Sequence, residues 1–493
     1  MQVRNFQSND LRTVGAGFEQ RSITGVETGW ALESEMARVS YAFKDKYNLM
    51  GVVRRDGSSR FGSNNRYGVF PSISANWIVS RESFMEKVHA LSDLKLRASY
   101  GKVGSQDIDD FAQYATIQPN VNYVLGPAET LTPGATFVNM GNSSLKWEVT
   151  SQTDIGVDLS LLQRRLTFVM DYYIKNTDGI LVKLPIPTTS GIRRNSGPFV
   201  NAGKVRNKGF EFTATYQDHA SQNFSYILSA NISANRNKVI SLNSNQPIIV
   251  QMTSGTEQSQ SITRQGGQIS EFYGYVMEGV FKDQAEVDKH ANQPGSGPGD
   301  IKYKDLNNDG VINASDQTII GSPFPKLTYG FNANLKYKSF DLDIFLTGKQ
   351  GQYLYNLVNA TVNEGNGDNN ATTEQLNRWT PQNTNTNVPR AIYGNPGLNT
   401  RPSTRYVENA SYLRIQNVQF GYNLDSRLLS RMKLARFRIY ISAENLWTFT
   451  RYKGYNPEIG KLSEGSQSSL TRGIDFAMIP IPRILEGGFQ IDF

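Results

Sequence analysis

The chain has 493 residues, no cysteine, a formal net charge of +7 and only 38% hydrophobic residues, although 11% are aromatic and 43 are glycine. The missing cysteines exclude disulfide scaffolds, thiolate metal sites and cysteine nucleophiles. Lys and Arg are scattered without a basic run, so no nucleic-acid partner is expected. No stretch is long and apolar enough for a transmembrane helix. A membrane barrel needs an apolar residue only at every second position and can therefore look hydrophilic on average.

Residues 1–29 read as a polar loop segment with no apolar core of the kind a secretory signal needs. From residue 30 to 493 the pattern is one of strands. Alternating or apolar runs recur at Trp30–Lys44, Tyr47–Arg55, Gly68–Val79, Leu94–Lys102, Trp147–Leu162, Leu166–Ile174, Gly209–Tyr216, Phe224–Ile232, Tyr273–Phe281, Leu327–Tyr337, Ser339–Thr347, Tyr412–Tyr422, Phe437–Phe449 and Gly488–Phe493. These make about 14 candidate strands, most near the ~10 residues that a tilted strand needs to cross a bilayer.

The connections come in two sizes. Lys44-Asp45-Lys46, Leu162-Gln163-Arg164 and Lys338-Ser339 are tight hairpin turns, whereas Gly104–Asn142, Asn243–Ile269 and Asn359–Arg405 are long and polar. Short turns at one end and long loops at the other are the pattern of an outer-membrane barrel. Helical patterning is confined to Glu82–Leu91 and a turn within Asp425–Met432. The chain closes on Gly488-Phe489-Gln490-Ile491-Asp492-Phe493, apolar and polar in alternation. Gly488, Ile491 and Phe493 resemble the C-terminal signal through which the barrel assembly machinery recognises a last strand; the alternative is the buried last strand of a soluble sheet.

Several blocks go beyond patterning. Arg54 to Trp77, RRDGSSRFGSNNRYGVFPSISANW, Leu94 to Gly101, LKLRASYG, and Asn201 to Glu211, NAGKVRNKGFE, are followed by GSPFPK from Gly321, RWTP from Arg378, ASYLRI from Ala410 and AENL from Ala443. In sequence and order they resemble the SusC/RagA-like TonB-dependent outer-membrane transporters. The resemblance implies an all-β fold, an antiparallel transmembrane barrel of which this chain supplies the C-terminal portion, about 14 of about 22 strands. It also implies outer-membrane localisation in a Gram-negative bacterium, surrounding lipid, a SusD-like lipoprotein, TonB, and an oligosaccharide or peptide cargo. Nothing here resembles the family's TonB box or plug, so a fragment is expected that supplies wall and loops, with TonB engaged through the part not present.

Asp305, Asn307, Asp309, Val311, Asn313 and Asp316 fit the spacing of a calcium loop, with Gly310 at the sharp turn. Asp stands where the bidentate Glu is usual, and neither flank reads as an amphipathic helix. The alternative is an Asx-rich turn held by side-chain to backbone bonds. No cofactor is otherwise required.

Trp30, Tyr47, Trp77, Trp147 and Trp447 lie near strand ends, where aromatic girdles anchor barrels. Tyr114, Tyr123, Tyr353, Tyr355 and Trp379 lie in loops and are the candidate cargo contacts. His89, His219 and His290 occupy unrelated contexts, and no GxSxG, HExxH or phosphate-cradling loop occurs, so no catalytic residue is expected. A structural or adhesive surface β-protein with a calcium-stiffened loop is the alternative function.

Overall fold

The computed structural model describes residues 28–493 except 120, 128, 133, 185–188, 190–196, 244–245, 255–256, 366–369, 426–427, 430–433, 460–469 and 493. The predicted segment 1–29 therefore lies almost wholly outside the described residues, as do Phe493 and most of Asp425–Met432.

One antiparallel sheet of 13 strands makes the wall, each strand bonded to the next in chain order. They are β1 Leu32–Phe43, β2 Tyr47–Ser58, β3 Tyr67–Ile78, β4 Leu91–Ser105, β5 Glu148–Leu161, β6 Leu166–Asp178 and β7 Gly203–Ser221. β8 Phe224–Leu242, β9 Leu327–Tyr337, β10 Phe340–Gln350, β11 Tyr412–Asn423, β12 Arg436–Thr450 and β13 Ile484–Asp492 complete it. Among the described residues β1 and β13 are edges and do not pair with each other.

The register lines up apolar residues across the whole wall. Leu49 faces Ala75, which faces Ala98, then Ile155, Tyr172 and Phe210. Further along, Leu335 faces Leu342, then Phe420, Ile441 and Gly487. Successive side chains on a strand point to opposite faces, so one face carries this band and the other carries polar groups. Val39, Tyr41, Leu49, Ile73, Ile155, Ile441 and Phe489 are all exposed on the apolar face. A contiguous apolar surface of this extent requires a nonaqueous neighbour, and a barrel wall meets lipid there.

On the opposite face, Arg97 bridges Asp158 and Asp171, each at 2.8 Å. Arg438 pairs with Asp341 and donates to Gln419. Both pairs sit beside a glycine: Gly156 lies opposite Arg97 and Asp171, and Gly421 lies opposite Asp341. The glycine leaves room for the guanidinium to cross to the neighbouring strand.

All tight turns fall at one end. Lys44 and Asp45 adopt positive φ, as do Leu162, Gln163, Arg164 and Lys338, the geometry that matches the twist of flanking strands. Aromatic side chains gather at this turn end. Tyr47 stacks on Trp77 at 6.2 Å, Tyr216 meets Tyr226 at 5.8 Å, and Phe340 meets Tyr422 at 5.0 Å. The long connections, after β4, β6, β8, β10 and β12, all leave from the other end.

Three expectations are corrected. Tyr273–Phe281 is not a wall strand: Glu271–Gly274 and Met277–Val280 are short strands that pair with Thr318–Gly321 and Ile301–Tyr303 inside the loop between β8 and β9. Its alternation was real, but period-2 patterning does not say which sheet a strand joins. Glu82–Leu91 is not an α-helix; Val79–Arg81 and Ser83–Met85 form separate single turns, because Glu82 instead accepts hydrogen bonds from Lys46, Tyr47 and Trp77. Trp147 is not a girdle residue. It is buried against Phe61 and Phe70 in a loop core, its indole N–H bonded to the Arg66 carbonyl.

The buried apolar clusters lie at the loop end. One joins Val205 and Val239, from the polar-side positions of β7 and β8, to Ile248, Val250 and Leu470 of the loops. Others centre on Phe272, Tyr355 and Tyr406, and on Tyr275, Ile301 and Tyr303. The wall is apolar outside, and the loops carry the protein-filled core.

Candidate functional site

The loops are built as a braced body. Asp300 is fully buried and accepts from Arg390 through both oxygens, at 2.9 and 2.7 Å, from the Asn399 amide at 2.9 Å and from the Gly297 N–H at 2.8 Å. This joins the loop after β8 to the loop after β10. Tyr303 and Tyr406 are buried beside it, their hydroxyls donating to the Leu398 and Asn399 carbonyls. Burial pushes both phenols above their ordinary range. Tyr452, in the loop after β12, donates to Asp475 at 2.5 Å; burial first, and then this carboxylate, raises it as well.

Between these loops runs a cleft lined by polar and apolar groups together. Two adjoining hollows of about 380 and 320 Å³ share Asn359, Glu374 and Lys453. Asn359 extends from the short helix Leu357–Val362, whose Asn356 caps it by accepting from the Asn359 N–H. Arg405 and Lys453 approach Glu374 at 3.6 and 3.8 Å. Glu408 accepts from the Asn356 side chain at 3.0 Å and from the Lys453 N–H at 3.0 Å. Tyr455 stands at the margin, 70% exposed. Amides, paired charges and an exposed aromatic ring suit a ligand rich in hydroxyls or peptide groups, since each offers both donor and acceptor capacity.

The predicted cargo residues are scattered. Tyr114 and Tyr123 are exposed in the loop after β4, Tyr123 on a small hairpin with Thr130–Thr132. Tyr353 is exposed on Tyr353–Asn356. Two residues along, Tyr355 is fully buried against Phe272 and Tyr406, which corrects its reading as a surface contact: it is core. Trp379 is half-buried, donates to the Lys282 carbonyl at 3.2 Å and packs on Gly299, so it braces two loops. Sequence reading missed Asn359, Glu374, Arg405, Glu408 and Lys453. The only signal was the asparagine-rich stretch from Asn356 to Asn387.

In the Asp305–Asp316 loop each acidic oxygen meets an N–H. Asp305 accepts from Asn308 at 2.7 Å and Gly310 at 2.9 Å, and Asp309 from Val311 at 2.9 Å. Asn307 accepts from the Asp309 N–H at 3.0 Å, and Asn313 from the Ser315 N–H at 2.8 Å. Asp316, fully buried, accepts from Leu306 and Asn313, both at 2.8 Å. The Asn307 amide first, and then the Val311 N–H, hold the Asp309 carboxyl below the usual range. All-oxygen donors match calcium in chemistry. Among the described residues, however, no three His, Cys, Asp or Glu side chains converge on one point, and the loop is closed by its own Asx bonds.

At the chain's end, Gly488 pairs with Tyr440 and Ile491 with Phe437. Ile491 thus falls on the outer apolar face with Phe489 and Leu485, and Gly488 on the other.

A 13-stranded antiparallel wall with a lipid-facing apolar band, short turns at one end and folded loops at the other defines the wall of an outer-membrane β-barrel. Residues 3–446 match the TonB dependent receptor-like, beta-barrel family, and the chain belongs to it. It is 34% identical to TonB-dependent receptor P3 of Formosa agariphila over 100% of this chain and 48% of that protein. It is 29% identical to TonB-dependent receptor SusC of Bacteroides thetaiotaomicron over 89% of this chain and 42% of that protein. Among solved structures, the RagAB peptide transporter superposes with a TM-score of 0.77 at 25% identity, covering 99% of this chain and 51% of the other. The chain spans about half the length of the curated relatives it matches. Members of this family are outer-membrane proteins of Gram-negative bacteria, and that is where this chain resides.

Proposed function

We propose that the chain forms the wall and extracellular loops of a TonB-dependent importer of oligosaccharides or peptides, acting with a SusD-like lipoprotein that covers the loops. The observation that carries this reading is the cleft around Asn359, Glu374, Arg405, Glu408 and Lys453, set in braced loops at the far end from the tight turns. Its amide and charged lining suits hydroxyl-rich or peptide ligands and lacks an assembled nucleophile, base or metal set, so binding without chemistry is the proposed role. The likeness to the RagAB peptide transporter supports the peptide side of this reading, and the sequence blocks that resemble SusC-like transporters support the oligosaccharide side. Plug, TonB engagement and energy-driven opening belong in this reading to the part of the importer beyond this chain. The Asp305–Asp316 loop is proposed as a surface brace that closes without calcium.

Uptake by the source bacterium tests this. Deleting the gene should abolish growth on one glycan or peptide mixture while sparing growth on free glucose and amino acids. A Glu374→Gln, Lys453→Gln variant at normal abundance should reduce that uptake severalfold. Unchanged growth of the deletion strain on every polymer, with normal outer-membrane integrity in the parent only, would favour a structural surface role instead.

A further inference from the structure

On the outer face, two neighbouring strands change character abruptly towards the loop end. Outward positions of β7 run Tyr216, Ala214, Phe212 and Phe210, then Lys208 and Arg206; those of β8 run Leu228, Ala230, Ile232 and Ala234, then Arg236 and Lys238. Lys208 stands directly opposite Arg236, and Arg206 opposite Lys238. All four side chains are exposed. Among the described residues none of the four forms an ion pair, and Arg206 donates to the Asn176 side chain at 2.7 Å. Nearby Lys204, by contrast, is neutralised by Asp178 at 2.9 Å.

Like charges directly opposite each other on antiparallel strands repel, and here two such pairs are stacked on one face. A one-residue slip could not relieve them, because it would turn the cations into the loop core that Val205 and Val239 now fill. The patch borders a groove of about 540 Å³ floored by Tyr172 and Ile174 and bounded by the Gly266–Gln268 backbone. Glu271, the carboxylate in the lining, faces Arg264 at 3.9 Å. The chain therefore concentrates positive charge without a counter-ion of its own, immediately above the apolar band.

We propose that this patch binds the phosphate of an anionic lipid in the outer leaflet, with the lipid's acyl chains lying along Tyr172, Phe210 and Phe212. Long barrel loops are extracellular, so the patch lies at headgroup level on the outer side. It opens sideways onto the hydrocarbon band, where lipid is the permanent neighbour, and four cations on two adjacent strands are opposite in charge to a phosphate and can donate to its oxygens.

Native mass spectrometry of the whole chain, purified in mild detergent, tests this with diphosphorylated lipid A as the probe. Adducts should form with lipid A and not with its phosphatase-treated form. A Lys208→Gln, Arg236→Gln variant should bind roughly thirtyfold more weakly, the equivalent of about 1 kcal/mol for each basic residue at an anionic surface. Equal retention of the dephosphorylated lipid would overturn the proposal. So would displacement by inorganic phosphate at equal concentration, which would assign the patch to free anions. If the variant fails to fold, the comparison of the two lipids on the parent protein decides the question alone.

Discussion

Arg390 and Asp300 form a two-point ion pair, 2.9 Å from Nε to Oδ1 and 2.7 Å between the second pair of atoms, that locks the loop after β10 onto the loop after β8. Asp300 has no exposed surface. Removing its partner would leave a carboxylate buried with only neutral donors, a change that costs about 3 kcal/mol or more. Arg390→Ala should therefore undock these loops while sparing the wall. Limited proteolysis should show new cleavage between β8 and β11 and none within the wall strands. A protease pattern identical to the parent's would show that the pair does not hold the loops.

Glu82 ties the turn after β3 to the β1–β2 hairpin. The Tyr47 hydroxyl first, and then Lys46 and the Trp77 indole, hold its carboxyl down at about 2. A carboxyl depressed in the folded state contributes stability that is complete above its unfolded value, about 4.3, and is lost as pH falls towards 2. Between pH 5 and pH 2 the thermal transition of the parent should fall further than that of Glu82→Gln. Parallel curves for the two proteins would contradict this.

Gly156 provides the space in which Arg97 reaches Asp158 and Asp171. A Cβ added there would lie 2.6 Å from the Arg97 guanidinium carbon and closer still to Asp171. Gly156→Val should cost about 1–3 kcal/mol through overpacking. Gly51, with nothing within 4 Å of such a Cβ, should tolerate alanine almost unchanged. Denaturant or heat titration in detergent would rank the two, and equal losses would mean that the crossing guanidinium is not the cause.

The Asp305–Asp316 loop should keep its protease resistance in a chelator, because its acidic oxygens already accept from backbone N–H groups. Asp316→Ala, which removes the bonds to Leu306 and Asn313, should open it by roughly 1–3 kcal/mol of lost satisfaction. Protection that disappears on chelation and returns with added calcium would assign the loop to the cation instead.

Thirteen of the predicted strands became wall strands, and the tight turns at Lys44-Asp45-Lys46, Leu162-Gln163-Arg164 and Lys338-Ser339 lie where they were read. These features are local: alternation follows from the two-residue repeat of a strand, and turn chemistry from a few neighbouring dihedrals. The family blocks are also local strings, which is why membership was visible before any fold was. The cargo residues were less legible. Tyr353 and Tyr355 look alike in sequence, yet one is exposed and the other fully buried, because what covers Tyr355 is Phe272 and Tyr406 from distant stretches of chain.

By itself, then, the sequence determined the strands, their turns and the family. The tertiary structure alone decided what each apolar face meets. A period-2 pattern separates two faces but is blind to whether lipid, a loop or another strand lies against them, so Trp147 and Tyr273–Phe281 passed for wall. Register and loop docking made the remaining choices: register set Arg97 across from Asp171 by way of Gly156 and Lys208 against Arg236, and docking of two loops set Arg390 against Asp300. These are pairings between residues whose proximity exists only once the chain has folded.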